Sequence, residues 1–171
     1  MTTSEVQGAE YNSYYKRYID LVGERSLKEG FEIGENTTVN FFKAIPEDKL
    51  EYRYAEGKWS IKEVLQHIVD TERVFMYRCF RIARRDKTAL AGFDQDLYIE
   101  PSNADQKSLD ALLEEYIITR KATSLLVTSL TDDDLRFLGV ASDSIISARA
   151  AAFIIQGHEI WHMNIIKERY L

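Results

Sequence analysis

The sequence contains little of several residue types, and each shortage excludes a class of protein. One cysteine, Cys79, rules out an intramolecular disulfide framework and favours a reducing compartment. It lies on a predicted apolar helix stripe, so we expect a buried thiol and not a nucleophile. No apolar run approaches the roughly 20 residues that a membrane-spanning helix needs, and residues 1–13 are too polar for a signal peptide. We therefore expect a cytoplasmic protein without a membrane partner.

Basic charge is also scarce, since 22 Lys and Arg residues stand against 28 Asp and Glu residues, for a formal net charge of −6. A surface for nucleic acid would be basic, so we expect no nucleic-acid partner. Only eight glycines and two prolines interrupt 171 residues, of which 45% are hydrophobic. This composition predicts one compact domain, 1–171. Residues 1–10 are small, polar and acidic, and we expect them to form a flexible lead-in.

Apolar residues at helical spacing predict an all-α protein. The clearest helix start is the capping box Ser60-Ile61-Lys62-Glu63, in which the Ser60 hydroxyl accepts from the Glu63 backbone N–H and the Glu63 carboxylate accepts from the Ser60 N–H. Long helices are predicted at 26 or 27 to 44, 61 to about 85, 108–130 and about 147–169. The pattern does not decide between helix and extended chain for residues 11–23. Residues 139–144 are predicted to form a loop, and no strand is predicted anywhere.

Two of the three histidines, His158 and His162, lie four residues apart in the last predicted helix. That spacing puts both imidazoles on one helix face. Apolar residues share this face: Ala151, Ala152, Ile155, Ile165 and Ile166. A buried imidazole pair can be satisfied by a first-row metal ion. His67, on the helix predicted from residue 61, would by itself be taken as a core or boundary residue, but beside this pair it becomes the candidate third ligand.

The string His158-Glu159-Ile160-Trp161-His162 also matches the H-E-x-x-H motif of zinc proteases. A protease is disfavoured because only nine residues follow His162, and they lack the glycine and histidine of the metzincin extension. No strand edge that could bind a peptide is predicted either. Glu159 points about 100° away from His158 on a helix, so we expect it on the surface or behind a metal ligand and not as a base.

Other polar residues are candidates for supporting roles. Glu72 interrupts the apolar stripe of the helix at 61–85, where it either orients a metal ligand or reaches an arginine or a backbone group. The connection after that helix has about 20 residues, whereas bundle loops usually have about 2 to 8. Its Asp94, Asp96 and Tyr98 are candidates for a lid over a pocket, although an Asp-rich loop that caps a helix end is the simpler alternative.

Several stretches of the chain resemble the DinB/YfiT-like superfamily. They are residues 57–73, 93–96, 157–162 and 168–171. The likeness runs in the same order from about residue 14 to the C-terminus. It implies an up-down-down-up four-helix bundle with a long crossover loop. It also implies a metal ion held by His67, His158 and His162, with water completing the coordination. Zn, Ni and Fe(II) occur in similar proteins, and homodimers are common among them.

The resemblance and the three histidines agree on a metal site but leave the reaction open. A three-histidine site with an open position can lower the pKa of a bound water to about 7, polarise a substrate oxygen or bind a thiolate. Relatives include thiol S-transferases that use bacillithiol and a mycothiol-dependent maleylpyruvate isomerase. The first hypothesis is therefore a metal-dependent enzyme with a small-molecule substrate, either a low-molecular-weight-thiol S-transferase or a hydrolase. The alternatives are a non-catalytic metal-binding or stress-response interaction protein, and a bundle whose histidines only hold the core together.

Overall fold

The computed structural model describes all 171 residues, and most of them are helical. The helices are α1 (Lys16–Val22), α2 (Leu27–Lys43), α3 (Ile61–Ala83), α4 (Asp96–Ser102), α5 (Leu109–Ser129), α6 (Asp132–Arg136) and α7 (Ala148–Arg169). The two strands are β1 (Leu138–Ala141) and β2 (Ser144–Ser147). The four predicted long helices are confirmed, and α1 decides the segment that the pattern left open. None of the helices has the length and apolar character that crossing a bilayer requires.

Each of the four long helices begins with a serine whose side chain accepts a hydrogen bond from the third helical backbone N–H. The caps are Ser26, Ser60, Ser108 and Ser147. At Ser60 the predicted capping box is confirmed, because the Glu63 carboxylate also accepts from the Ser60 N–H at 2.7 Å. A serine cap satisfies one of the N–H groups that a helix start leaves unpaired. The start of each long helix is therefore determined by residues close to it in sequence.

Residue pairs between helices give their directions. His67 and Phe75 of α3 pack against the later and the earlier part of α7 respectively, so these two helices are antiparallel. Gln66 of α3 bonds Glu115 of α5, and Glu72 bonds Arg120. The residue numbers rise in the same direction on both helices, so α3 and α5 are parallel. Helix α2 is parallel to α7, because the Gln156 side chain packs against Gly30 and the Thr38 hydroxyl contacts the sulfur of Met163. The bundle is up-down-down-up, as expected.

The parallel direction of α3 and α5 requires a long crossover, because the chain must return along the bundle before α5 can begin. The crossover, residues 84–108, contains α4 and a short turn at Ala104–Gln106. It is tied to the hairpin where the Leu90 N–H donates to the Val140 carbonyl at 2.9 Å and the Ser142 N–H donates to the Leu90 carbonyl at 3.0 Å. The crossover is thereby held over one side of the bundle.

The prediction of a loop without strands at 139–144 is wrong. Leu138 pairs with Ser147 and Ala141 pairs with Ser144 in an antiparallel hairpin. Its turn residues, Ser142 and Asp143, have φ of 50° and 58°, as a two-residue type I′ turn requires. The chain lacks the Asn-Gly or Asp-Gly pair that normally signals this turn, and each strand has only four residues. The local pattern was therefore too weak to identify.

The core consists of two apolar clusters with a polar layer between them. One cluster joins the end of α3 to the start of α7, and the other joins the start of α3 to the end of α7. The polar layer lies at mid-length in all four long helices: Thr38, His67, Thr71, Glu72, Thr119, Arg120, Thr123, Gln156, His158, Glu159 and His162, all of them buried. Because buried polar groups need partners, this layer is where a functional site is expected.

Residues 1–10, expected as a flexible lead-in, are packed onto the bundle. They form two short turns, and the Leu27 N–H donates to the Met1 carbonyl at 2.9 Å. Glu10 is buried, and its carboxylate accepts from Arg149 of α7 at 2.7 Å. This ion pair explains the difference from the expectation, because it connects the segment to a helix far away in sequence.

Candidate metal centre

The three histidines converge in the polar layer. His67 comes from α3, and His158 and His162 come from successive turns of α7. The Nε2 atom of His158 lies 3.0 Å from Nε2 of His67 and 3.0 Å from Nε2 of His162. All three residues are buried, and their nearest ligand atoms lie within 4.8 Å of one another. The structure thus brings together the three residues predicted as ligands.

The donor set fits a divalent metal ion. Nε2 of His158 takes part in both short contacts, but a neutral ring nitrogen has either one N–H or one lone pair. The three nitrogens therefore cannot form two good hydrogen bonds with one another. Two nitrogens bound to one tetrahedral zinc at about 2.0–2.1 Å are about 3.3 Å apart, close to the 3.0 Å observed here. A cation that accepts all three lone pairs satisfies this arrangement.

Burial keeps the three imidazoles neutral and ready to bind a metal. It lowers the pKa of His67 to about 4. Burial, followed by the neighbouring imidazoles, holds the pKa of His158 and of His162 well below the usual range. At neutral pH each ring therefore offers a lone pair and not a second N–H.

Aromatic rings enclose the histidines. Trp59 lies 4.7 Å from the ring centre of His67, and Trp161 lies 4.9 Å from that of His162. Tyr18 of α1 packs edge-on against His158 at 5.3 Å. α1 comes this close because residue 157 is a glycine, where a Cβ would collide with the Tyr18 carbonyl. These rings restrict the access of water to the imidazoles and hold them in place.

Thr71 orients one of the ligands. Its hydroxyl lies 3.4 Å from Nδ1 of His67, one helical turn away. When this hydroxyl accepts the Nδ1–H, the Nε2 lone pair of His67 is left for the metal, which is the usual role of a hydrogen-bond partner behind a metal-ligating histidine.

Glu72 and Glu159 belong to a buried ion-pair network and do not contact the histidine rings through a hydrogen bond. Arg120 of α5 donates from Nε and Nη2 to Glu72 at 3.0 and 2.8 Å, and from Nη1 and Nη2 to Glu159 at 3.0 and 2.7 Å. The hydroxyls of Tyr116 and Thr38 donate to Glu159 at 2.7 and 3.1 Å. For Glu72 the arginine alternative is the one observed. The expectation of a surface position for Glu159 is wrong.

Arg120 is the residue that sequence reasoning missed. Burial by itself would lower its pKa, but the two carboxylates hold the pKa well above its ordinary value. Its position could have been noticed, because it lies one turn after Tyr116 and one turn before Thr123 on the inward face of the helix. An arginine on an apolar face, together with Glu72 on another, indicates a buried ion pair.

Two pockets reach the histidine cluster from different sides. One, of about 530 Å³, includes His162, Trp161 and Asp96 in its wall. The other, of about 200 Å³, includes His158. Gln95, just before α4, contributes to both pockets. A further pocket of about 390 Å³ around Asp96 and Asp105 includes no histidine, so it does not reach the three-histidine cluster.

The three crossover candidates have different positions. Asp96 lines the pocket beside His162. Asp94 is exposed, and its carboxylate accepts the Asp96 backbone N–H at 3.0 Å, which is the helix-capping alternative. Tyr98 packs against Phe93 at 5.6 Å and lines neither pocket at the histidines. Among these candidates, only Asp96 lies in the wall of a pocket that contains a histidine.

Cys79 lies inside the apolar cluster at the far end of α3 and is 1% exposed. Burial raises the pKa of its thiol to about 12. A thiol with this pKa stays protonated at neutral pH, so the structure agrees with the expectation that Cys79 is no nucleophile.

The sequence matches a known family over most of its length. The sequence model of the DinB superfamily matches residues 31–166. The chain belongs to the DinB superfamily. All three histidines of this DinB-superfamily protein, and the whole Glu72–Arg120–Glu159 network, lie within the matched residues.

The fold of this DinB-superfamily chain is similar to a solved structure. YfiT from Bacillus subtilis aligns with a TM-score of 0.75 over 96% of this chain and 90% of that chain, at 14% sequence identity. That protein is described as a probable metal-dependent hydrolase with an unusual four-helix bundle topology. At this identity the likeness shows the fold, which confirms the expected bundle. No curated protein matches the chain significantly.

Proposed function

We propose that this DinB-superfamily protein is a metal-dependent hydrolase of a small molecule, with a divalent ion held by His67, His158 and His162. The observation that carries the proposal is the meeting of three neutral Nε2 atoms, at 3.0 Å between neighbours, beside two open pockets. The description of the structurally similar YfiT supports the same reaction class. Imidazole ligands suit zinc, nickel and ferrous iron alike, so the proposal covers all three ions.

The reaction depends on what the bound ion supplies and on what the chain does around it. A divalent ion on three imidazoles supplies Lewis acidity and can lower the pKa of a coordinated water to about 7. Trp59 and Trp161 pack against the ligands, and a hydrogen bond from the Nδ1–H of His67 to the Thr71 hydroxyl would leave its Nε2 lone pair for the ion. Gln95 lies in the wall of both pockets, and its side-chain amide can donate and accept hydrogen bonds to a substrate in either one.

A second candidate is the transfer of a low-molecular-weight thiol. The supporting observation is the pair of pockets, since one reaches His162 and the other reaches His158. Two substrates could thus approach one ion from different sides, as a thiol and its acceptor must. A hydrolase needs only one of these pockets for an organic substrate, because its second substrate is water.

Metal analysis combined with two activity screens tests these functions. We expect about one divalent ion per purified chain, loss of this ion in His158→Ala, and retention in the control Asn164→Ala, whose side chain is exposed on the same helix. Hydrolysis of ester or amide substrates that disappears in His158→Ala supports the hydrolase. Thiol conjugation without hydrolysis supports the transferase.

Two other outcomes contradict the proposal. A metal-bearing protein that turns over no substrate in either screen is the non-catalytic metal-binding or stress-response interaction protein. If the purified chain contains no metal and a chelator does not change its stability, the histidines have only a structural role in the core.

The expected cytoplasmic homodimer is also part of the proposal. Family resemblance and two exposed apolar side chains seven residues apart on α5, Ile118 and Leu125, support it. Light scattering tests the dimer, because it would give twice the chain mass of 19.8 kDa.

A further inference from the structure

The pocket of about 200 Å³ beside His158 is aromatic and contains no carboxylate. Its wall includes Tyr14, Tyr15, Tyr18, Phe75 and Phe93. Apart from the tyrosine hydroxyls, its polar groups are the side chains of Thr71, Gln95, Ser142 and His158. Since a water occupies about 30 Å³ in the liquid, the pocket has room for a small organic molecule. The chain has a net charge of −6, so a pocket wall without any Asp or Glu is less negative than the chain as a whole.

A buried arginine stands directly behind this wall without an anionic partner. Arg78 of α3 is 2% exposed, and it makes no ion pair with any Asp or Glu of the chain. Both of its hydrogen bonds come from Nη2, which donates to the Ala91 carbonyl at 3.2 Å and to the Ser142 hydroxyl at 2.7 Å. Its Nε and Nη1 donate to no protein group, and neither is one of the fully buried polar atoms that lack a partner, so both keep some accessible surface. Arginines this little exposed are normally paired with a carboxylate, and Arg78 has none, so Nε and Nη1 are free to donate to an added anion.

The contacts of Arg78 are with residues of the pocket wall. The guanidinium carbon lies 4.8 Å from the ring centre of Phe75 and 5.7 Å from that of Phe93. Ser142, which accepts from Arg78, is also part of the wall. A second arginine without an ion pair, Arg17, lies 4.1 Å from the ring centre of Tyr14 at the exposed side of the pocket. Two cations therefore contact wall residues of a pocket that has no acid.

Helix α3 connects this arginine with the metal centre. His67, Thr71, Phe75 and Arg78 follow one another at intervals of four, four and three residues, which places them on one helix face. The eleven residues from His67 to Arg78 span about 16 Å along the axis. The long arginine side chain covers part of that distance, and the pocket lies along the same stretch of α3. A ligand in the pocket would therefore have one end near His158 and the other near Arg78.

We propose that this pocket binds a small carboxylic acid with an apolar or aromatic body, and that the Arg78 guanidinium and the Ser142 hydroxyl hold its carboxylate. The planar guanidinium fork matches a carboxylate in two parallel hydrogen bonds, and Nε and Nη1 are the donors left for it. The aromatic wall takes the body of the ligand. The role of this site in catalysis rests on the proposed function. If the protein is a metal-dependent hydrolase, its substrate is an ester or amide that carries a carboxylate, and the bond to be cleaved lies at the metal end.

Calorimetric titration of the full-length protein, as purified, tests the proposal with 3-phenylpropionate and its neutral analogue 3-phenylpropanamide. We expect the acid to bind at least tenfold more tightly than the amide. Arg78→Gln should weaken binding of the acid at least tenfold and leave binding of the amide unchanged. Arg84→Gln is the matched control, because it removes an exposed, unpaired arginine near the end of the same helix, and it should change neither.

Several results would overturn the proposal. Equal affinity for acid and amide excludes an anion site, and unchanged binding of the acid in Arg78→Gln assigns the carboxylate to the metal alone. If Arg78→Gln does not fold, Ser142→Ala is the second variant, and acid binding that is unaffected by it contradicts the site. Metal content is measured in the same samples, and His67→Ala, outside this pocket, should lose metal but still bind the acid. A failed anion site and a failed metal site therefore give different results.

Discussion

At the scale of the residue, Arg120 has the largest expected effect on stability. It is fully buried and is the one cation between Glu72 and Glu159. Replacing it with methionine removes the charge and keeps an unbranched side chain, so two carboxylates remain buried without a cation to balance them. We expect Arg120→Met to lower the free energy of unfolding by about 3–5 kcal/mol, as for other broken buried pairs, measured by urea denaturation.

The control for Arg120 is Arg73→Met. Arg73 is 46% exposed where it pairs with Asp70 and Glu115, and exposed pairs contribute about 1 kcal/mol or less. Equal losses in the two variants would contradict a structural role for the buried network. Adding Glu72→Gln and Glu159→Gln to Arg120→Met should restore part of the stability, because the uncompensated charges are then gone.

Cys79 gives a second prediction at this scale. Its pKa of about 12 and its burial predict that a thiol reagent such as DTNB leaves it unmodified in the folded protein at pH 8. In a denaturant the same thiol should react within minutes. Rapid modification of the folded protein, followed by absorbance, would contradict both the burial and the absence of a nucleophilic role.

At the scale of the element, the start of α3 depends on Ser60. Its hydroxyl accepts from the Glu63 N–H at 3.1 Å and donates to Asp105, which ties the helix start to the crossover. Ser60→Ala removes both bonds. We expect it to lower the free energy of unfolding by about 1–2 kcal/mol, of which about 1 is the ordinary loss of an N-cap. Ser108→Ala removes a cap alone and should cost less, and the reverse order in denaturation would contradict the contribution of Asp105.

The elements also show where local patterns lose their information. The two glycines of α2 weaken its helix propensity, yet both are explained by packing: Gly30 makes room for Gln156, and Gly34 for Glu159 and Arg120. The hairpin was missed because Ser142 and Asp143 adopt positive φ without a glycine. In each case a contact distant in sequence compensates for a local preference.

At the scale of the whole molecule, the pairing of Glu10 with Arg149 predicts a pH-dependent contribution to stability. Burial raises the pKa of Glu10, but the Arg149 guanidinium and the Gln7 N–H outweigh it, and the net pKa is lowered. A group with a lowered pKa stabilises the fold above its unfolded pKa of about 4.3, and this contribution is lost as the pH falls through the folded pKa. Wild type should therefore exceed Glu10→Gln in unfolding free energy at pH 7, by a margin that shrinks below about pH 4.

The control for this pH dependence is Glu24→Gln, because Glu24 is exposed and makes no ion pair. It should match wild type at every pH. A difference for Glu10→Gln that stays constant from pH 7 to pH 3 would contradict the assignment to the ion pair and would indicate a packing effect.

Metal removal gives a further prediction for the whole molecule, conditional on the proposed site. A ligand that binds only the folded state stabilises it by about 2.7 kcal/mol at one hundred times its dissociation constant. Because the three ligands join α3 to α7, a chelator should lower the thermal midpoint of wild type. The midpoint of His67→Ala should be insensitive to the chelator, as measured by differential scanning calorimetry.

The candidate site could be predicted from sequence in part. His158 and His162 were identifiable because both lie on one helix, where spacing translates directly into a shared face. His67 became a ligand candidate only beside that pair and through the family resemblance. The partner of Glu72 could not be chosen, since an arginine and a metal ligand both satisfy a buried carboxylate. Asp94, Asp96 and Tyr98 could not be separated, because their crossover obeys no simple period.

The sequence by itself determined where the four long helices begin and end, which face of each is apolar, and which residues could ligate a metal. Serine caps and the 3.6-residue period act within a few residues, so they need no knowledge of the rest of the chain. Only the tertiary structure decided that Arg120 joins Glu72 to Glu159, that Glu10 is anchored by Arg149, and that Arg78 contacts the wall of an aromatic pocket without pairing with a carboxylate. These contacts join residues 39 to 139 positions apart or depend on a shared pocket, and the energy of a buried charge depends on which groups the complete fold places around it.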